Sequence, residues 1–157
     1  MKLVVLDVSG TLHDDRPFAP MYDGMKDVII KLKNEGVLVA LATNLSRAGV
    51  NRFITSNGLT QYLDADITLS EAAPKPNPEM LETVILQVGG DKENTLMIGD
   101  SAGDICMANL AKVKACAVNW QGVWCDSVIQ ENPEYKVENI QELCHILSEF
   151  TGKKITI

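Results

Sequence analysis

No apolar run in this chain approaches the roughly 20 residues that a membrane-spanning helix needs, so no membrane partner is expected. A lysine and a short apolar stretch open the chain, but the stretch Leu3–Leu6 runs straight into Asp7. A secretory signal needs an unbroken apolar core of about 7–15 residues, and the cytoplasm is the expected compartment. Basic residues are scarce as well: 14 lysines and arginines stand against 21 aspartates and glutamates, a net charge of −7. With no basic cluster to neutralise a phosphate backbone, nucleic acid is not an expected partner. The cysteines (Cys106, Cys116, Cys125, Cys144) form no CxxC pair, which argues against a zinc or dithiol site. Cys116 within Val113–Val118, and Cys106 beside Ile105 and Met107, are expected as buried reduced thiols, because a free cysteine packs as a small apolar group. Internal repeats, low-complexity stretches and linkers are missing too. A single domain over 1–157 is the expectation, long enough to bury a core.

What is present is alternation. Leu3–Val8 reads as a strand and Tyr22–Asn34 as a helix with Met25, Val28, Ile29 and Leu32 on one face. Gly36 ends that helix, as glycine commonly does past a C-terminus. Val37–Ala42 predicts a buried strand, Ser46–Asn57 a helix closed by Gly58, and Asp66–Leu69 a short strand before a proline-rich turn. Pro78 fits the first turn of a helix reaching Val88, where its missing N–H matters least. Strands at Leu96–Ile98 and Ala115–Val118 flank a helix at Ala102–Leu110. Tyr135–Val137 suggests an edge strand and Ile140–Phe150 the closing helix, with Lys153–Ile157 either pairing as a strand or fraying. Such alternation predicts a three-layer α/β sandwich with a mainly parallel sheet.

Four segments carry chemistry. Asp7 ends an apolar strand and precedes a Ser9-Gly10-Thr11 turn, at the sheet edge where parallel α/β folds keep their ligands. Thr43-Asn44 follows the second strand above a helix N-terminus, where a hydroxyl and exposed amides suit a phosphate. Lys75 stands among Pro74, Pro76 and Pro78, which restrict the backbone. Gly99-Asp100 and Asp104 follow a third strand, with carboxylates spaced one helical turn apart. Each has an ordinary reading alone: a solvated strand end, a turn with Ser46 as helix cap, a solvated lysine, or an acidic first turn.

Taken together and in order, these segments resemble the four motifs of the haloacid dehalogenase superfamily, whose core is Rossmann-like. The proline frame of Lys75 is very like the KPxP stretch of phosphoglycolate-phosphatase-like members. The resemblance implies a Mg²⁺-dependent phosphatase in which Asp7 is the nucleophile and forms an aspartyl phosphate. It places Asp7, the backbone carbonyl of Ser9, Asp100 and Asp104 around Mg²⁺, with Asp104 either touching the ion or supporting its waters. Ser9, Gly10, Thr43, Asn44 and Lys75 would surround the phosphoryl group. His13 is either an exposed loop histidine or a neighbour of the substrate entrance. Trp120 and Trp124 either line the pocket mouth or a subunit contact, with packing expected for at least one.

The match departs from the family's pattern at Ser9. In the phosphatases a second aspartate usually stands there, protonating the leaving oxygen and then activating the hydrolytic water. A serine hydroxyl does neither well, and general acid–base help is typically worth about 10²–10⁴ in rate. Acyl and aryl phosphates would suffer less than alkyl phosphates. Two readings follow: a phosphatase slowed by Ser9, or a HAD-fold binding or regulatory protein with little turnover. The stretches from Asp7 to Thr43 and from Thr43 to Lys75 are consumed by core elements, leaving no cap domain. An open site suits a phosphorylated small molecule or protein substrate, or a homo-oligomer in which a neighbour covers it.

Overall fold

The computed structural model describes residues 1–16 and 18–157. Six strands form one parallel sheet: β1 Leu3–Leu6, β2 Leu38–Ala42, β3 Ala65–Ile67, β4 Thr95–Gly99, β5 Lys114–Val118 and β6 Tyr135–Val137, in the order β3-β2-β1-β4-β5-β6. Helices α1 Met25–Asn34, α2 Arg47–Ser56, α3 Glu79–Val88, α4 Ala102–Ala111, α5 Asp126–Gln130 and α6 Ile140–Thr151 cover both faces. Successive strand side chains point to opposite faces. Val4 and Leu6 of β1 therefore join one core with Val28 and Leu32 of α1, Val50 of α2 and Leu143 and Leu147 of α6. Leu3 and Val5 join the other, with Met80 and Val84 of α3 and Ile105 and Ala108 of α4. This is the expected three-layer Rossmann-like sandwich.

The strand order reverses at the centre. From β1 the chain winds outward through β2 and β3, then returns to place β4 on the other side of β1. The crevice above β1 and β4 is the switch point at which open parallel sheets bind ligands. Leu6 lies level with Ile98, and the Asp7 N–H still donates to the Ile98 carbonyl at 2.9 Å. The first residues past both strands, Asp7 and Asp100, thus emerge side by side.

Several boundaries differ from those read in the sequence. β1 stops at Leu6, because the Val8 carbonyl accepts N–H bonds from Leu12 (2.8 Å) and Thr11 (3.3 Å) and so folds the chain into a turn. α1 starts at Met25, since Gly24 has a left-handed φ of 88° that ends helical geometry. α5 was not legible; it is short and buries only Val128. The C-terminal tail pairs with no strand among the described residues, yet Ile155 is buried and its N–H donates to Ser148 Oγ at 3.0 Å. Cys116 and Cys144 are buried, but Cys106 is half-buried and Cys125 exposed, and all four are free thiols. Among the described residues no helix is long and apolar enough to cross a membrane.

Candidate active site

Asp7, Ser9, Thr43, Asn44, Lys75, Asp100 and Asp104 line one cleft of about 310 Å³ at the switch point. Lys75 is its electrostatic centre. Its Nζ donates to Asp7 Oδ1 at 2.7 Å and to Asp104 Oδ1 at 2.6 Å, with the lysine side chain 5% exposed. Burial opposes the ammonium charge, but Asp104 and Asp7 outweigh it and raise the Lys75 pKa. Burial pushes the Asp7 carboxyl well above the usual carboxylate range; the Asp104 charge adds to this and Lys75 works against it. Asp100 is raised as well, chiefly by burial.

The loop carrying Lys75 is held from several sides. Asn44 Oδ1 accepts the Lys75 backbone N–H at 3.0 Å, joining the second segment to the third. Glu79 Oε2 accepts the Ala73 N–H at 3.0 Å. Upstream, Glu71 accepts from the Thr68 N–H and hydroxyl and pairs with Arg47, which also pairs with Asp66 in the middle of β3. Thr43 is 2% exposed, and its hydroxyl oxygen accepts the Leu45 N–H at 3.1 Å. The hydroxyl hydrogen remains able to donate into the cleft. Ser46 caps α2, its Oγ accepting the Gly49 N–H at 3.2 Å.

Asp104 sits in a capping box at the start of α4. Its Oδ2 accepts the Ser101 N–H at 3.1 Å and the Ser101 hydroxyl at 2.9 Å, while the Ser101 hydroxyl oxygen accepts the Asp104 N–H. With Oδ1 on Lys75, both Asp104 oxygens are engaged. Gly10 lies outside this cleft but against it. A Cβ at Gly10 would stand 2.0 Å from Asp100 Oδ2, so the missing side chain makes room for the carboxylate. Gly99 does the same for Asp104, whose Cβ and Cγ lie 2.4 Å from where a Cβ would be.

The residues present suit a hard divalent cation. Asp7, Asp100 and Asp104 each bring a carboxylate oxygen within 4.8 Å of the others. Burial first, and the neighbouring Asp104 charge after it, raise the Asp7 and Asp100 pKa values, and a bound cation would favour their ionised forms. Oxygen donors of this kind, few in number beside an open cleft, fit Mg²⁺.

Residues 3–118 match the family model for haloacid dehalogenase-like hydrolases. The chain belongs to that family. It is 30% identical over 136 residues to the pyrophosphatase PpaX of Halalkalibacterium halodurans, covering 86% of this chain and 63% of that protein. PpaX of Bacillus velezensis is 26% identical over 135 residues, covering 85% and 62%. The chain thus spans a little under two thirds of the length of these relatives. Among solved structures, a HAD family hydrolase from Deinococcus radiodurans with bound phosphate and sodium superposes with a TM-score of 0.84 at 14% identity, covering 99% of this chain and 98% of that one. A HAD-superfamily hydrolase from Ehrlichia chaffeensis gives 0.81 at 15%, covering 96% and 99%. At these identities the likeness is one of fold. Between β1 and β2 stand only a loop and α1, and between β2 and Lys75 only α2, a single 3₁₀ turn and β3 with their loops. No cap is inserted at either place among the described residues.

One residue that sequence reasoning missed enters the site, and another, read two ways, lies beside it. Asp15 lines the same cleft as Asp7 and Lys75. It had no strand-end signal, and its arrival depends on how the loop after β1 folds back. His13 is not an exposed loop residue: it is half-buried, bridges to Ser9 and Met21, and stacks on Phe53 of α2. Trp120 packs edge-on to Tyr22 and donates its Nε1–H to the Thr11 carbonyl at 3.0 Å. Trp124 donates to Glu138 Oε2 at 2.8 Å, away from the cleft.

Proposed function

We propose that the chain is a Mg²⁺-dependent phosphohydrolase working through a phosphoenzyme on Asp7. The observation that supports this best is Lys75 between Asp7 and Asp104 at the mouth of β1. A buried ammonium 2.7 Å from a carboxylate offsets its charge and leaves it able to approach an anionic phosphoryl group. Asp7, Asp100 and the Ser9 carbonyl would hold the cation, which when bound neutralises phosphoryl charge. Asp104 holds Lys75 through Oδ1 and Ser101 through Oδ2, and from there it would support the ion or its waters behind Asp7 and Asp100.

In the reaction an Asp7 oxygen attacks phosphorus in line as the bond to the leaving oxygen breaks. Thr43 donates its hydroxyl hydrogen to a phosphoryl oxygen, and Lys75 balances the charge that builds on the transferring group. Asn44 keeps Lys75 in place through its backbone. The leaving oxygen needs a proton unless it is already a stable anion, and Ser9 is a poor source. We assign that task to Asp15, the remaining carboxylate of the cleft among the described residues. Water then attacks the aspartyl phosphate, giving up its proton to the same carboxylate, and releases phosphate. The substrate is a phosphorylated small molecule or a phosphorylated protein segment reaching the open cleft.

A second reading rests on Ser9 alone, with phosphate and Mg²⁺ bound without useful turnover, and the hydrolase family of the chain speaks against it. Mg²⁺-dependent hydrolysis of p-nitrophenyl phosphate and acetyl phosphate, with Asp7→Asn as control, separates the two. Turnover that vanishes in the control supports the phosphatase; Mg²⁺ and phosphate binding by calorimetry without turnover supports the binder.

A further inference from the structure

Beside the catalytic cleft lies a second cavity of about 400 Å³ that the mechanism above leaves unused. The two share Ser9, Asp15 and Leu45, so they are contiguous. That volume is within the usual range for small-ligand pockets, and such pockets combine apolar walls with a few convergent polar groups. Here Leu45 and Phe53 supply apolar wall. The His13 ring continues it, with its centroid 5.1 Å from that of Phe53 and the planes tilted by 30°.

Two observations point to an occupant. Arg52 lines the cavity from α2 and makes no ion pair among the described residues, whereas Arg16, also on the rim, is paired with Asp14. Gly49 adds its bare backbone to the wall within α2. A Cβ there would meet only Ser46 Oγ at 3.4 Å and Leu45 Cβ at 3.9 Å, so packing inside the protein does not require glycine.

We propose that this cavity is a leaving-group pocket for a planar aromatic ring with an anionic substituent, which makes the substrates aryl phosphates bearing a second acidic group. The ring stacks on Phe53 and His13, a geometry favourable for aromatic pairs. Arg52 takes the distal anion, for which a guanidinium is well shaped. The scissile oxygen then lies at the junction of the two cavities, where Ser9 and Asp15 stand. The substrate assignment rests on the phosphatase reading; the aromatic site does not.

The test pairs turnover with binding. Phenyl phosphate carrying a para-carboxylate should be hydrolysed with a kcat/KM about tenfold above that for phenyl phosphate itself, the worth of one charge-assisted contact. In Arg52→Ala, an exposed helix position, that ratio should fall to near one. Gly49→Leu should lower the ratio of phenyl phosphate to acetyl phosphate turnover. Independently of activity, para-hydroxybenzoate should shift the His13 ring resonances in an NMR titration. The chain has 2 histidines, so His13→Ala assigns the signal. Asp7-dependent hydrolysis of acetyl phosphate with no preference for the carboxylated ring and no His13 shift would overturn the pocket and spare the phosphatase. A His13 shift without any hydrolysis would keep the aromatic site and sink the phosphatase reading. No shift and no hydrolysis overturns both.

Discussion

Asp104 holds Lys75. The carboxylate is completely buried, gives Oδ1 to the lysine Nζ at 2.6 Å, and has its other oxygen fixed by Ser101 at the start of α4. An ion pair this deep is costly to break from one side, because the remaining charge stays buried. Asp104→Ala should therefore destabilise the fold by about 3–5 kcal/mol, read from urea unfolding. Asp104→Asn keeps the shape and should lose less stability. Equal losses for the two variants would mean that the lost charge pair alone sets the value; a loss confined to Asp104→Ala would mean that packing does.

Gly10 should tolerate no side chain. Its φ is 81°, a left-handed value that disfavours any L residue with a Cβ, and the atom itself would collide with Asp100. Gly10→Ala must displace the Asp100 carboxylate. Mg²⁺ affinity measured by calorimetry is expected to fall by about tenfold or more, the effect of losing one well-placed interaction. An unchanged affinity would remove Asp100 from the proposed cation site.

Metal and pH should act on stability together. Burial raises the Asp7 and Asp100 pKa values in the metal-free protein. A carboxyl whose folded pKa is raised contributes stability fully present below the unfolded pKa, about 3.9, and lost as pH rises through the folded value. Without Mg²⁺, these two groups should thus weaken the fold between acidic and neutral pH. Mg²⁺ binds the ionised form, so its stabilising effect should grow over the same window. At 100 times its Kd the ion adds about 2.7 kcal/mol. Thermal melts at pH 5 and pH 8, with and without Mg²⁺, measure this; a larger Mg²⁺ shift at pH 5 contradicts it. Asp7→Asn should flatten much of the dependence.

The core was legible because its signals are local. Apolar runs such as Leu3–Leu6 ended in a carboxylate, and Gly36, Gly58 and Pro78 punctuated the helices close to where the structure does. The side chains of the candidate site were legible for the same reason: Asp7, Thr43 and Asp100 each lie one residue past a strand. What stayed hidden depends on contacts distant in sequence. Nothing near Asp104 announces that Lys75 occupies its oxygen, and nothing in Thr-Leu-His-Asp-Asp says that the loop folds back to bury His13 against Phe53. α5 escaped because so short a helix with one buried residue leaves no periodic pattern to read.

Ser9 and Asp15 together predict how rate depends on the leaving group. Asp15 lines the edge of the cleft, and the proposed mechanism gives it the protonation of the leaving oxygen that Ser9 cannot supply. That matters most when the departing alkoxide is strongly basic and least when it is a stable anion. Asp15→Asn should therefore lower kcat for an alkyl phosphate by about 10² or more, the lower range for general acid–base help. The same variant should slow phosphoryl transfer from acetyl phosphate only slightly in a single-turnover measurement, since acetate departs without a proton. Breakdown of the phosphoenzyme should slow with either substrate, because water still needs a base. Ser9→Asp should work in the opposite direction, raising alkyl phosphate turnover and making it insensitive to Asp15→Asn. If Asp15→Asn reduces transfer from both substrates equally, Asp15 acts by holding the loop after β1 rather than by moving a proton. Alkyl phosphate turnover unchanged by Ser9→Asp would remove the acid–base deficit from the account altogether.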